Sequence, residues 1–194
     1  MAGSDAGAWE SLWAPYDEDT YERALAFVPA GAAVLDIGAG DLRFARRVAA
    51  RARVVYALER SRDLLGGPAP ANVQVICADA RHWPFPSGLD AAVLLMRHCA
   101  HFALYRRKLE AAGCARLITN ARWGMDVECI DLTAAPRRYG DLGAGWYACR
   151  CGATGFRAVA AEMLSAADLA TNHDVDNCPT CSHNDYGRNS YSLS

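Results

Sequence analysis

Apolar positions along the first two-thirds of the chain follow two alternating patterns. Short continuous runs, typical of strands buried on both faces, occur at residues 34–37, 54–58, 73–76, 89–96 and 115–119. Between these runs, apolar side chains recur at helical spacing over residues 42–49 and 102–112. Strands that alternate with helices predict an α/β fold, with a mostly parallel sheet wound on both faces.

The first predicted strand leads directly into a turn that contains two glycines. The stretch VLDIGAGDLRFARRV, residues 34–48, combines a buried strand, Gly38 and Gly40, and the start of an amphipathic helix. Glycine lets the backbone approach a ligand with no Cβ in the way, and the helix N-terminus offers free N–H groups. A strand, a glycine turn and a helix form the first half of a nucleotide-binding βαβ unit, so the sheet is predicted to be Rossmann-like and doubly wound.

Acidic side chains flank this turn and follow the next two strands. Asp36 precedes the first glycine and Asp41 follows the second. Glu59 comes about 20 residues after the turn, the spacing at which such folds bind a ribose hydroxyl. Asp79 follows the third strand. Two carboxylates at the turn repel a pyrophosphate and favour a ligand that carries positive charge.

The sequence DIGAG followed by Asp41 resembles the first motif of class I S-adenosylmethionine-dependent methyltransferases. Leu42 stands where that family often has a further glycine. The resemblance covers roughly residues 16–120 and implies that S-adenosylmethionine is the cofactor. The cofactor-binding residues that it implies are Tyr16, Asp36, Gly38, Gly40, Glu59, Asp79, Ala80 and Arg97.

Methyl transfer requires above all that the two reactants are held close together and aligned. A general base helps when the nucleophile is a nitrogen or an oxygen, and His98, just past the fourth strand, is the candidate for this catalytic role. His101 is the second candidate. Residues 120–123, Asn-Ala-Arg-Trp, partly resemble the Asn/Asp-Pro-Pro-Tyr motif of nucleic-acid amino-methyltransferases. They follow the fifth strand and contain no proline, so that specificity is not transferred to this chain.

Four cysteines near the C-terminus form two closely spaced pairs, Cys149 with Cys151 and Cys178 with Cys181. Pairs at such spacings predict a structural zinc site, in which four thiolates surround the ion tetrahedrally. The Cys-Pro-x-Cys pair resembles a zinc-ribbon knuckle, whereas the C-x-C pair is one residue shorter than usual. His173 or His183 is an alternative for one ligand. Free thiols and a redox dithiol are the alternatives to a metal.

These patterns divide the chain into four segments. The predicted segments are an N-terminal arm at 1–17, a cofactor-binding domain at 18–135, a zinc-bound β-rich module at 136–185 and a polar tail at 186–194. Asp19 and Glu22 predict a capping box for a leading helix. Residues 127–132 predict a further strand and residues 136–138 a turn. The resemblance implies a closing antiparallel hairpin, for which residues 145–161 are the candidate.

Composition narrows the choice of partners. The 194 residues are 52% apolar and carry a net charge of −2, which gives no support for a nucleic-acid partner. No apolar run is long enough to span a membrane and no secretory signal is visible, which predicts a cytoplasmic protein with reduced thiols. A basic rim that could touch a macromolecular acceptor is formed by Arg97, Arg106, Arg107, Arg122, Arg137, Arg138 and Arg150.

The sequence therefore predicts a methyltransferase that uses S-adenosylmethionine and acts on an unidentified acceptor. The alternative is a non-catalytic scaffold that binds the cofactor and recognises a protein or a nucleic acid through its zinc module. A nicotinamide-dependent oxidoreductase is a further alternative, against which Asp41 and the missing third glycine argue.

Overall fold

The computed structural model describes residues 16–124, 126–160 and 163–182. The chain divides into two compact units between Ala134 and Ala135. Most of the predicted N-terminal arm, the predicted tail at 186–194 and His183 lie outside the described residues. No helix in the described ranges is long and apolar enough to cross a membrane.

The first unit is built around a six-stranded sheet. Its strands are β1 (Ala33–Ile37), β2 (Val54–Glu59), β3 (Val73–Cys77), β4 (Ala91–Leu94), β5 (Arg116–Thr119) and β6 (Glu128–Asp131). They lie in the order β3-β2-β1-β4-β5-β6, and all neighbours are parallel except β5 and β6. This confirms the predicted mostly parallel α/β sheet. The direction of winding reverses between β1 and β4, which is where such sheets bind their ligands.

Helices cover both faces of this sheet. They are α1 (Glu18–Ala26), α2 (Arg43–Ala49) and α3 (Phe102–Ala111), and a 3₁₀ turn spans Arg62–Leu64. Strand residues alternate between two apolar cores, so that Val34 packs with α1 and α2 whereas Leu35 packs with α3. The alternation of buried residues thus produces the double winding that the sequence predicts.

The helix ends agree with the sequence at α3 and differ at α1. Gly113, with φ 71°, follows the end of α3, as predicted. The capping box predicted at Asp19 and Glu22 is wrong, because Asp17 is the N-cap of α1. One carboxylate oxygen of Asp17 accepts hydrogen bonds from both the amide and the hydroxyl of Thr20, at 2.8 and 2.7 Å. Asp17 thus caps a free backbone amide of the first turn, and Asp19 lies inside the helix.

The second unit contains a four-stranded sheet. Its strands are β7 (Arg137–Arg138), β8 (Gly145–Cys149), β9 (Thr154–Arg157) and β10 (Asn172–Asp176), in the order β7-β10-β8-β9. A short helix, α4 (Ala166–Ala170), and 3₁₀ turns at Tyr139–Asp141 and Pro179–Ser182 complete the described elements. The core of this unit is small and consists of Leu142, Tyr147, Cys149, Val175 and Cys178.

Two sequence predictions for this region need correction. Residues 137–138 form a short strand that pairs with β10, not a turn, because their backbone extends the edge of the second sheet. The predicted hairpin forms between β8 and β9, but it belongs to the second sheet. The antiparallel edge of the first sheet is instead β6 alone, which lies within the predicted strand at 127–132.

Candidate functional site

The glycine turn after β1 requires left-handed backbone at three positions. Gly38 and Gly40 have φ of 77° and 55°, and Leu42 has φ of 68°. A Cβ at Gly38 would lie 3.0 Å from the terminal methyl carbon of Met96, so only glycine fits there without displacement. Leu42 holds the same handedness at a steric cost, in exchange for a fully buried side chain. Leu42 therefore has the left-handed backbone typical of glycine, at the position where the resemblance expects a glycine.

Asp36, at the carboxyl-terminal part of β1, is a buried carboxylate residue. It is only 4% exposed, and its Oδ2 has no hydrogen-bond partner among the described residues. Burial, with a smaller contribution from the charge of Glu59, raises the pKa of Asp36 to about 7. A buried carboxylate is stabilised by a hydrogen-bond donor or a positive charge, and none is provided by the part of the chain that the structure describes.

Glu59, the last residue of β2, connects the glycine turn to the neighbouring strand. One of its carboxylate oxygens accepts the amide of Gly40 at 3.0 Å, and the other accepts the amide of Ser61 at 2.7 Å. The structure therefore brings two of the predicted cofactor-binding residues, Gly40 and Glu59, into direct contact. Each oxygen keeps a further lone pair that could accept a ligand hydroxyl.

Asp79 lies in the loop after β3 and is bound by a neighbouring arginine. Arg81 holds the carboxylate through its guanidinium, at 2.5–3.0 Å, and through its backbone amide at 2.9 Å. These hydrogen bonds to Arg81 hold the pKa of Asp79 well below its usual range. A ligand that contacts Asp79 must therefore share this carboxylate with Arg81.

Lys108 anchors the same loop from α3, a contact that the sequence analysis missed. Its ammonium donates to the carbonyl oxygens of Ala80 at 2.5 Å and Trp83 at 2.6 Å. It also lies 4.2 Å from the centroid of the Phe85 ring. Lys108 is the single lysine of the chain, and that uniqueness was the only sequence signal that could have drawn attention to it.

Tyr16 is attached to the end of β4. Its hydroxyl donates to the carbonyl of Leu95 at 3.1 Å and accepts the amide of Arg97 at 3.3 Å. The guanidinium of Arg97 lies 4.9 Å from the centroid of the tyrosine ring. The structure thus brings together two further predicted cofactor-binding residues, Tyr16 and Arg97, at the carboxyl end of a central strand.

His98 follows Arg97 and has a strained backbone, with φ of 52°. Its imidazole packs on Gly124, where an added Cβ would lie 3.0 Å from both Cε1 and Nε2. Its side chain is exposed, so the candidate general base is accessible to a ligand. His101 instead precedes α3 and meets the ring of Tyr105 edge-on, 6.1 Å between centroids, which is a packing contact.

The predicted basic rim is wrong for two of its arginines. Arg106 is 1% exposed and pairs with Glu110 within α3 at 3.0 Å. Arg122 is also buried and pairs with Glu128 at 2.6 Å. The sequence indicated exposed positions for both, one on a helix and one after a strand, but tertiary packing buries them. Their charges are therefore paired inside the first unit and are not part of a binding surface.

The four predicted cysteine ligands come together in the second unit. Their sulfurs all lie within 4.8 Å of one another. The separations are 3.5 Å for Cys149 and Cys181, 3.6 Å for Cys151 and Cys178, and 3.7 Å for Cys178 and Cys181. Four thiolates around a tetrahedral zinc ion, with Zn–S bonds of about 2.3 Å, lie about 3.8 Å apart. The sulfur positions therefore fit a tetrahedral zinc centre.

Two tight turns present these thiols. In the turn between β8 and β9, the amide of Gly152, with φ of 97°, donates to the carbonyl of Cys149 at 2.9 Å. In the second, the amide of Cys181 donates to the carbonyl of Cys178 at 2.9 Å, just after Asn177 with φ of 53°. The hairpin turn brings both sulfurs of the C-x-C pair to one side, which explains why the shortened spacing suffices.

Of the two histidines predicted as alternative ligands, only His173 lies among the described residues, and it is not part of this group. His173 lies against Gly145, where its Nε2 would be 3.5 Å from an added Cβ, and His183 is outside the described residues. The group found among the described residues consists of cysteines only. Burial raises the pKa of Cys151 to about 11, so a bound metal would have to displace its proton.

Comparison with known proteins gives structural matches only. No family model and no curated protein matches the chain. The precorrin 8w decarboxylase of Methanobacterium thermoautotrophicum is 21% identical, covers 56% of this chain and 65% of its own, and has a TM-score of 0.45. M. jannaschii TYW2, in complex with AdoMet, is 20% identical over 56% and 54% of the two chains, with a TM-score of 0.42.

A third match is an S-adenosylmethionine-dependent methyltransferase from Mesorhizobium loti. It is 22% identical, covers 50% of this chain and 49% of its own, and has a TM-score of 0.43. In these three matches the aligned region spans about half to two-thirds of the other protein's length.

Proposed function

We propose that the first unit is a domain that binds S-adenosylmethionine and transfers its methyl group to an acceptor. The observation that carries the proposal is the buried carboxylate of Asp36 beside the Gly38–Gly40 turn, whose Oδ2 has no hydrogen-bond partner among the described residues. It lies on β1, next to the reversal of winding between β1 and β4. A ligand with N–H donors and positive charge satisfies this carboxylate, whereas a pyrophosphate would be repelled by it.

The other predicted cofactor residues have separate roles in this proposal. Glu59 accepts a ribose hydroxyl while its bond to the Gly40 amide keeps the turn in place. Asp79, Ala80 and the loop held by Lys108 bind the adenine. Tyr16 and Arg97 close the ligand-binding edge beside β4.

The chemistry is a direct displacement. S-adenosylmethionine supplies a methyl group on a positively charged sulfur. The residues of the domain hold the acceptor atom in line with that methyl carbon, which supplies most of the rate enhancement. As the acceptor nitrogen or oxygen forms its bond to carbon, the carbon–sulfur bond breaks and its electron pair stays on sulfur. The imidazole of His98 takes the proton that the acceptor loses.

The second unit is proposed to bind one structural zinc ion through Cys149, Cys151, Cys178 and Cys181. A zinc ion with four protein thiolates has no open position for water or substrate, so it takes no part in methyl transfer. Elemental analysis of the full chain should give about one zinc per protein.

Ligand-dependent thermal unfolding tests the cofactor. S-adenosylmethionine and S-adenosylhomocysteine should raise the melting temperature, because a ligand at 100 times its Kd adds about 2.7 kcal/mol to the free energy of unfolding. Asp36→Ala should weaken S-adenosylhomocysteine binding by about tenfold or more. Asp126→Asn, which changes an exposed carboxylate, is the control. Stabilisation by NAD or NADP alone would overturn the proposal.

Activity separates the enzyme from a cofactor-binding scaffold. The full chain, incubated with methyl-labelled S-adenosylmethionine and candidate acceptors, should release S-adenosylhomocysteine in step with labelled product. Binding of the cofactor without transfer to any small-molecule, protein or nucleic-acid acceptor would favour the scaffold.

A further inference from the structure

Asn120 is a second buried polar side chain with an unsatisfied atom. It follows β5 directly, is 2% exposed, and its Oδ1 has no hydrogen-bond partner among the described residues. Asp36 lies near the carboxyl end of β1, and Asn120 is the first residue after β5, which runs parallel to β4 as β4 does to β1. The unsatisfied oxygen of Asn120 thus belongs to the same edge of the sheet as the proposed cofactor carboxylate.

The turn that begins at Asn120 is fixed on several sides. The amide of Gly124 donates to the carbonyl of Asn120 at 2.9 Å, and the amide of Ala121 donates to the hydroxyl of Thr119 at 3.0 Å. Arg122, in the middle of the turn, is held by Glu128 at 2.6 Å. A turn restrained in this way positions its groups precisely enough to orient a ligand.

The same turn packs against the side chain of His98. The imidazole rests on Gly124, and a Cβ at that glycine would collide with Cε1 and Nε2 at 3.0 Å. Gly124, with φ of 74°, thus meets two requirements at once, a left-handed backbone and an open surface for the ring. His98 itself has a left-handed backbone, with φ of 52°, a conformation that non-glycine residues adopt at an energetic cost.

We propose that Asn120, Gly124 and His98 form the acceptor subsite, and that the acceptor is a neutral nucleophile that carries its own N–H or O–H. This rests on the proposed function of the first unit. Asn120 Oδ1 accepts one hydrogen bond from that group, which fixes the direction of the nucleophilic lone pair. Gly124 is a positioning residue, because it acts by holding the imidazole that receives the proton.

The preference for a donor can be measured with small probes in the full chain saturated with S-adenosylhomocysteine. Aniline and phenol carry a donor, whereas N,N-dimethylaniline and anisole are matched analogues that lack one. Saturation-transfer NMR should show that the two donor probes bind about tenfold more tightly than their blocked analogues. Equal binding of blocked and unblocked probes would overturn the inference.

Two variants connect this preference to the named residues. Asn120→Leu removes the unsatisfied oxygen and should abolish the preference, while the melting temperature stays the same or rises. A merely structural asparagine would instead destabilise the protein when replaced. Gly124→Ala should lower kcat with a donor probe more than it changes KM. Gly113→Ala is the matched control, because it imposes the same left-handed strain, φ 71°, with nothing within 4 Å.

The Kd of S-adenosylhomocysteine, measured in the wild-type protein and each variant, separates the two proposals. If the wild-type protein does not bind it, the proposed function fails. If all variants bind it within about twofold of wild type but donor probes show no preference, or Asn120→Leu leaves the preference intact, only the acceptor subsite is wrong.

Discussion

The two units of this protein are stabilised in different ways. The first has an apolar core on each side of its sheet, and its helices contribute large side chains such as Phe44 and Phe102 to these cores. The described part of the second has a buried cluster of five residues, and two of them are Cys149 and Cys178. Regular apolar periodicity indicates the first unit, whereas the small core of the second leads us to expect that its stability depends on the proposed zinc ion.

We expect removal of the proposed zinc ion to produce the largest effect, and to affect the second unit only. If it alters both units, the comparison between them fails. The double variant Cys178→Ser, Cys181→Ser should lose its zinc and unfold the second unit, because structural zinc contributes on the order of 10 kcal/mol to folding. The first unit should keep its sheet. Elemental analysis measures the zinc, and amide NMR spectra of residues in β1–β5 and in β7–β10 measure the state of each unit.

Cys77→Ser is the control for this variant. Cys77 is exposed at the end of β3 and lies outside the four-sulfur group. It should retain about one zinc per chain and an unchanged NMR spectrum in the second unit. Loss of the parallel sheet in the double variant would contradict the independence of the first unit's core.

The second largest effect concerns Asp36 and the pH dependence of the first unit. Folding raises the pKa of this carboxyl to about 7, so between its unfolded pKa near 3.8 and about 7 the folded state binds more protons. The free energy of unfolding therefore falls as the pH rises through this interval, by at most about 4 kcal/mol. Asp36→Asn should remove this loss, and urea unfolding at pH 5.5 and 8, an interval that contains about 2 kcal/mol of it, measures the difference.

S-adenosylhomocysteine provides the control for that titration. Its amino group would stabilise the ionised carboxylate, so saturation with the ligand should flatten the pH dependence of wild type and leave Asp36→Asn unaffected. A wild-type protein whose stability is unchanged between pH 5.5 and 8 would contradict the unpartnered state of Asp36.

The sequence predicted the first sheet well because strand, turn and helix are each specified by neighbouring residues. The run 34–37, the two glycines and the helical stripe after Leu42 all appear as predicted. The clustering of the four cysteines was likewise readable from their spacing. Predictions failed where tertiary contacts decide the outcome, as for the buried Arg106 and Arg122.

The third largest effect concerns the loop between β3 and β4. No helix spans residues 78–90, which the structure describes in full, and the Lys108 ammonium binds carbonyl oxygens there. Lys108→Met should lower the free energy of unfolding by about 2 kcal/mol, because it leaves the carbonyls of Ala80 and Trp83 without their charged donor. It should also weaken S-adenosylhomocysteine binding, while Lys108→Arg restores part of both losses. Thermal unfolding and calorimetric titration measure the two quantities.

This contact also shows why parts of the candidate site could not be predicted. A lysine on a helix looks solvated in the sequence, and nothing local indicates that its chain reaches two carbonyls more than twenty residues earlier. The unsatisfied oxygen of Asn120 is equally invisible, since it depends on which groups fail to reach it. Long-range contacts and missing partners are properties of the packed structure alone.

The smallest effect tests whether surface charge contributes to the stability of the first unit. Arg53 and Asp90 form an ion pair at 2.7 Å with side chains that are 57% and 47% exposed. Arg53→Gln should change the free energy of unfolding by no more than about 0.5 kcal/mol, because solvent screens an exposed pair. Asp90 also accepts the amide of Ala33 at 2.8 Å, so it keeps a partner in the variant. Urea unfolding at low and high salt checks this, and a loss much larger than predicted would mean that ionic contacts, and not the apolar cores alone, distinguish the first unit from the second.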